Sequence, residues 1–110
     1  MAEIIRRVVA PQRVSISIAA ATTTVVIAGT SGEVIHILGL FLYNGNTAGN
    51  VTLRDSTPTV IDGVLQFPAN FGFLWTRRDD PWVSLASGTG FEIVTSGAGQ
   101  LSGHVFYTKG

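Results

Sequence analysis

The chain has no cysteine among its 110 residues. Disulfides and thiolate metal sites are therefore excluded, and stability has to come from packing or association. Ionic groups are scarce too: charged residues make up 13% of the chain, about half the roughly 25% of an average soluble domain. Seven basic residues balance seven acidic ones, so no global field draws the protein to nucleic acid or to an anionic membrane. A chain so poor in charge can stay wet through Ser, Thr, Gly and Asn. Alternatively, part of its surface packs against copies of itself or against a larger body. The few charges are clustered rather than spread, which favours the second reading.

Helical periodicity is absent. The opening MAEIIRRVVA has no apolar run before a cleavage site and carries Glu3, which argues against a signal peptide. Residues 14–32 lack charge and approach bilayer-spanning length. Ser15, Ser17 and the Thr22-Thr23-Thr24 run make them a poor membrane helix, and they read as two strands of a soluble domain. The length suits one domain.

What is present is a series of short β-type runs. The most apolar is residues 33–43, EVIHILGLFLY. Its apolar residues fall on both alternation sets, Ile35, Ile37, Phe41 and Tyr43 on one and Val34, Leu38, Leu40 and Leu42 on the other. Such a strand is expected to be central and covered on both faces. Around it, Val14, Ile16 and Ile18 alternate with small polar residues, Val51 and Leu53 alternate with Thr52 and Arg54, and Leu101, Val105 and Tyr107 share a face. Asp62-Gly63 predicts a tight turn. With Gly-rich turns at close spacing, the pattern predicts an all-β fold: a single jelly-roll-like β-sandwich of about eight to ten short strands. Residues 1–12 read as an extended N-terminal arm, closed by Pro11, and 13–110 as the sandwich domain.

Candidate chemistry is thin. His36 and His104 each stand alone in an apolar strand and read as structural histidines. Asp79-Asp80 lie beside Arg77-Arg78, which predicts mutual neutralisation in a loop or pairing across a subunit contact. The glycines of SGTG and SGAGQ precede strands rather than a helix, so they read as hairpin turns and not as a phosphate cradle. No nucleophile elbow occurs. These features predict no enzyme, no cofactor and no metal. Arg6, Arg7 and Arg13 are accompanied by aliphatics rather than aromatics, unlike a nucleic-acid surface. The segment NFGFLW with Trp82 supplies a dense aromatic group, Phe71, Phe73, Trp75 and Trp82, expected in the core and at an oligomer contact.

Several segments together resemble small virion structural proteins of tailed bacteriophages. They are a Thr/Val strand at residues 21–26 running on to Leu38-Gly39-Leu40, then Ala48-Gly49-Asn50-Val51-Thr52-Leu53-Arg54 and Pro68-Ala69-Asn70-Phe71-Gly72-Phe73. Pro81-Trp82-Val83-Ser84-Leu85 then leads into SGTGFEI and a terminal Ser102-Gly103-His104-Val105-Phe106-Tyr107. The resemblance spans residues 20–108 and carries no catalytic residues. It implies a head decoration (cement) protein, made in the host cytoplasm and bound to the outer capsid surface. The implied partners are itself, as a homotrimer, and the major capsid protein, with no nucleic acid and no membrane. On this reading Ile4, Ile5, Arg6, Arg7, Val8 and Val9 bind the capsid or an adjacent copy, and Arg77, Arg78, Asp79 and Asp80 form polar pairs at an interface rim. Tail, neck and head-fibre roles are the alternative, and a carbohydrate-binding sandwich for host attachment a further one.

Overall fold

A computed structural model describes residues 10–97 and 99–110. They contain no helix and nine strands: β1 (Gln12–Ile18), β2 (Thr23–Ile27), β3 (Ile35–Asn44), β4 (Gly49–Asp55), β5 (Val60–Phe67), β6 (Gly72–Trp75), β7 (Val83–Ser84), β8 (Phe91–Thr95) and β9 (Leu101–Lys109). Two antiparallel sheets result. The first runs β1-β9-β3-β6, with β7 also on β3, and the second runs β2-β8-β4-β5. Inward residues of both sheets form one core: Ile16, Ile35, Ile37, Leu40, Leu42, Leu101 and Val105 meet Ile27, Val51, Leu53, Phe67, Phe91 and Ile93. The fold is thus a two-sheet β-sandwich, and each fully buried Leu or Ile contributes about 1.5–3 kcal/mol.

The double alternation of the central strand has a physical cause other than two-sided coverage. In the β3–β9 ladder Ile37 pairs with Tyr107 but Gly39 pairs with Phe106, so Leu38 is an extra residue in a bulge. The bulge reverses the phase. Ile35 and Ile37 point inward before it, and Leu40, Leu42 and Asn44 are buried after it. Phe41 and Tyr43 consequently face outward, and Tyr43 is exposed.

Opposite the bulge the neighbouring strand is broken as well. β6 and β7 lie end to end along β3, separated by residues 76–82. That loop is tied back by the Arg78 amide donating to the Leu38 carbonyl at 3.0 Å and the Trp82 amide to the Ile37 carbonyl at 2.8 Å. Gly39 lets the loop sit directly on the sheet, because a Cβ there would meet Arg77 Cα at 2.9 Å.

Asp62-Gly63 does not make the tight turn its sequence predicts. Thr52 pairs with Val64 and Leu53 with Ile61, so the two residues bulge out within β5. Both have left-handed φ, 57° and 80°. The turn lies earlier, at residues 56–59, and is organised by Asp55. This buried carboxylate accepts the Thr57 amide at 2.9 Å, the Thr59 amide at 2.8 Å and the Thr57 hydroxyl. Burial pushes the Asp55 carboxyl up. The bonds from the Thr57 hydroxyl and the Thr59 and Thr57 amides together outweigh that, holding it below its ordinary value.

A carboxyl lowered on folding stabilises the fold above its unfolded pKa and loses that contribution as pH falls through the folded value, here below about pH 4. Asp55→Asn is therefore expected to cost about 2 kcal/mol near neutrality. The gap from the native chain should narrow as pH falls from neutrality toward about pH 2. Urea midpoints at the two pH values measure it; an equal gap at both would show that the turn does not use the charge.

Candidate interaction surface

The outward side of the first sheet forms a surface that continues across its strands in register. Ser15 of β1 aligns with His104 of β9, Phe41 of β3 and Leu74 of β6. One row away, Arg13 aligns with Phe106 and then Gly39, and on the other side Ser17 aligns with Ser102, Tyr43 and Gly72. The inward residues of β9 are Leu101, Val105 and Tyr107, so strand alternation places His104 and Phe106 outside.

These side chains touch one another. The His104 ring lies 5.6 Å from Phe41 and 5.1 Å from Phe106, centroid to centroid. An Arg13 guanidinium nitrogen is 3.5 Å from His104 Nδ1. Arg77 reaches from the loop above Gly39 and holds its guanidinium 5.2 Å from the Phe106 ring centroid, a cation–π contact. Leu74, paired across to Phe41, is 64% exposed. His36, on the same face, is held by Ser84, with Nδ1 and Oγ 2.7 Å apart. The registered rows thus carry aromatic, hydroxyl and cationic groups and no carboxylate.

The aromatics singled out from the sequence divide into two pairs. Phe73 and Trp75 are half-buried and pack against the core, while Phe71 and Trp82 are exposed. They form a chain of rings with Phe67: Phe71–Phe67 at 5.1 Å, Phe67–Phe73 at 5.9 Å, Phe73–Trp75 at 5.6 Å and Trp75–Trp82 at 5.7 Å. This chain closes the side of the sandwich where β5 and β6 are the outermost strands. Trp82 is engaged by the protein itself. Its indole N–H donates to the Thr76 carbonyl at 2.8 Å, Trp75 stacks on it at 10°, and the Arg78 guanidinium lies 3.8 Å from the ring centroid.

Arg77, Arg78, Asp79 and Asp80 are all exposed in residues 76–82, and they do not neutralise one another. Arg78 Nε donates to the Asp80 backbone carbonyl at 2.8 Å, and both guanidinium groups lie over aromatic rings. Among the described residues the one ion pair is Arg54–Glu92, 2.9 Å apart on the second sheet. Within the loop the neutralisation read from the sequence is not made, and the guanidinium groups instead cover the flat faces of Phe106 and Trp82. Pairing across a subunit contact, the other expectation, involves a second chain. Ile4, Ile5, Arg6, Arg7, Val8 and Val9 lie outside the described residues.

Sequence reasoning missed Phe41, Tyr43, Leu74, His104, Phe106 and Arg13 as one surface. The available signal was the apolar character of Phe106 and Phe41, once β9 had been assigned its inward set. Comparison with protein-family models, with curated proteins and with solved structures finds no match for this chain.

Proposed function

We propose that this chain is a virion structural protein: a jelly-roll decoration (cement) protein that binds the outer head surface of a tailed bacteriophage as a homotrimer and stabilises the shell. The strand order carries the reading. Two facing sheets ordered β1-β9-β3-β6 and β2-β8-β4-β5 are what an eight-stranded chain gives when folded as two Greek keys, counting β6 and β7 as one interrupted strand. This order supports the jelly-roll reading, and jelly rolls recur in viral capsid and lectin domains. The resemblance of residues 20–108 to phage virion proteins and the partly aromatic outer face, which bears cationic groups and no carboxylate in its registered rows, favour the capsid role over the lectin one. Trp82 supports a sugar platform poorly, since protein partners already engage its ring.

The mechanism is mechanical. Bridging neighbouring capsomers buries surface, and a standard specific contact buries about 1,200–2,000 Å². Modest contacts repeated over a lattice gain through multivalency.

The test uses undecorated heads of the virus that encodes the chain. Full-length protein is expected to co-sediment with them to saturation, at a copy number set by the capsid lattice rather than by the tail's rotational symmetry. It should also raise the temperature at which the heads release DNA. Removing residues 2–9 leaves Gln12, whose side chain accepts the Tyr107 hydroxyl at 2.8 Å. The truncated chain is expected to stay folded and lose the heads. A full-length chain that binds no heads overturns the proposal, and titratable glycan affinity with a Trp82 fluorescence change would install the lectin reading.

A further inference from the structure

We propose that the outer face of the first sheet is the contact through which copies of this chain join, and that it receives the acidic loop tip, Asp79-Asp80, of a second copy. The inference rests on the homo-oligomer in the reading above and specifies its contact.

Three observations support it. The first is a mismatch of charges within one chain. Arg13 and Arg77 stand on a face whose registered rows contain no carboxylate. The fold already uses two of the other carboxylates, Asp55 for its turn and Glu92 for Arg54. Asp79 and Asp80 are the only adjacent carboxylates in the sequence. They are exposed, and no described cation pairs with them.

The second observation is the state of the guanidinium groups. Arg77 lies over Phe106, and Arg13 is held near His104. A guanidinium engaged through its plane, as that of Arg77 is, keeps in-plane N–H donors for a carboxylate. Arg13, with one nitrogen on His104, keeps its remaining donors, so little ordering is left to lose when a carboxylate arrives. The third is the apolar ground between them. Phe41 and the exposed Leu74 provide area to remove from water, which ion pairs at an exposed rim would not supply alone. A contact with an apolar centre and a polar margin follows, with the two acids on one copy and the two arginines on the next.

Nucleic acid fits this face less well. Among the described residues two guanidinium groups serve it, and phosphate binding draws on many cations along a track.

Charge reversal tests the assignment by sedimentation velocity on the full-length chain. Arg13→Glu with Arg77→Glu should weaken self-association at least about tenfold, and so should Asp79→Lys with Asp80→Lys. Combining all four substitutions in one chain should restore it. All four positions are exposed, and circular dichroism with a thermal unfolding scan verifies folding; the restored quadruple variant is a second control. Raising salt should weaken the native oligomer in parallel. An oligomer indifferent to both reversals overturns this contact while leaving the homotrimer intact. A reversal that dissociates the chain but is not rescued by the quadruple variant overturns the pairing. A native chain that remains a lone protomer overturns both the contact and the homotrimer, whereas head binding alone decides the capsid role.

Discussion

Gly103→Ala is expected to abolish the native fold, or to destabilise it by about 4 kcal/mol or more, an exceptional cost for one methyl group. Gly103 sits in β9 between two partners, opposite Ile16 of β1 and Leu42 of β3. Its φ of 152° is one that side chains rarely adopt. A Cβ built there collides with the Phe41 carbonyl oxygen and lies 2.8 Å from the Phe41 carbonyl carbon. The obstacle is backbone in a central ladder, so no side chain can swing aside. Either β9 changes φ and loses register, or β3 moves and opens the core. With a typical domain stability of about 5–15 kcal/mol, either route leaves little margin.

Gly72→Ala is the control. Gly72 also lies in a strand of the first sheet, but a Cβ there meets nothing within 4 Å. Its effect should stay within about 0.5 kcal/mol. Denaturant midpoints for the two variants decide the matter; a Gly103→Ala chain that melts like the native one would show that β9 does not pass between β1 and β3 as described.

The second large effect is expected at Phe91. Its side chain is fully buried at the start of β8, with Ile27 opposite on β2 and Asp55 opposite on β4. Truncation to alanine should cost about 3–5 kcal/mol through lost transfer energy and an unfilled cavity. Phe91→Leu keeps most of the volume and should cost about 1.5 kcal/mol or less. The difference between the two is the useful quantity, since it isolates the cavity. If alanine and leucine proved equivalent in urea titrations, Phe91 could not be filling the space between the two sheets.

Much of the fold was legible because the strands are short and regularly patterned. Ile16 and Ile18 in β1, Val51 and Leu53 in β4, and Leu101, Val105 and Tyr107 in β9 all face inward as their alternation predicts. β3 was recognisable as central, but its two apolar sets came from a bulge at Leu38, which a periodicity argument reads as a second covered face. Asp62-Gly63 carries turn chemistry and takes left-handed φ as that chemistry allows. It lies inside β5 because Asp55 had already organised the reversal with Thr57 and Thr59. Local sequence shows that two residues can take αL backbone, not whether the chain turns back there.

The strand order was not readable in detail. β1 pairs with β9 and β2 with β8, and such distant partners leave no mark at either position alone. The outer face of the first sheet was hidden for the same reason, since Arg13, Phe41, Leu74 and His104 become neighbours only through those pairings. Arg77 and Arg78 beside Asp79 and Asp80 suggested neutralisation by adjacency, but only the folded chain shows that aromatic rings hold the guanidinium groups.

The interruptions of β5 and of β6–β7 also govern how copies could grow into a filament. Unlimited strand-by-strand addition requires every subunit to offer two compatible borders. In the first sheet one border is uninterrupted β1 and the other is broken by residues 76–82; in the second, β2 bulges at Val26 and β5 at Asp62-Gly63. Among the described strands β1 is therefore the one regular border, and pairing along it ends once two chains have met, which keeps a protein with little charge repulsion from polymerising through its strands.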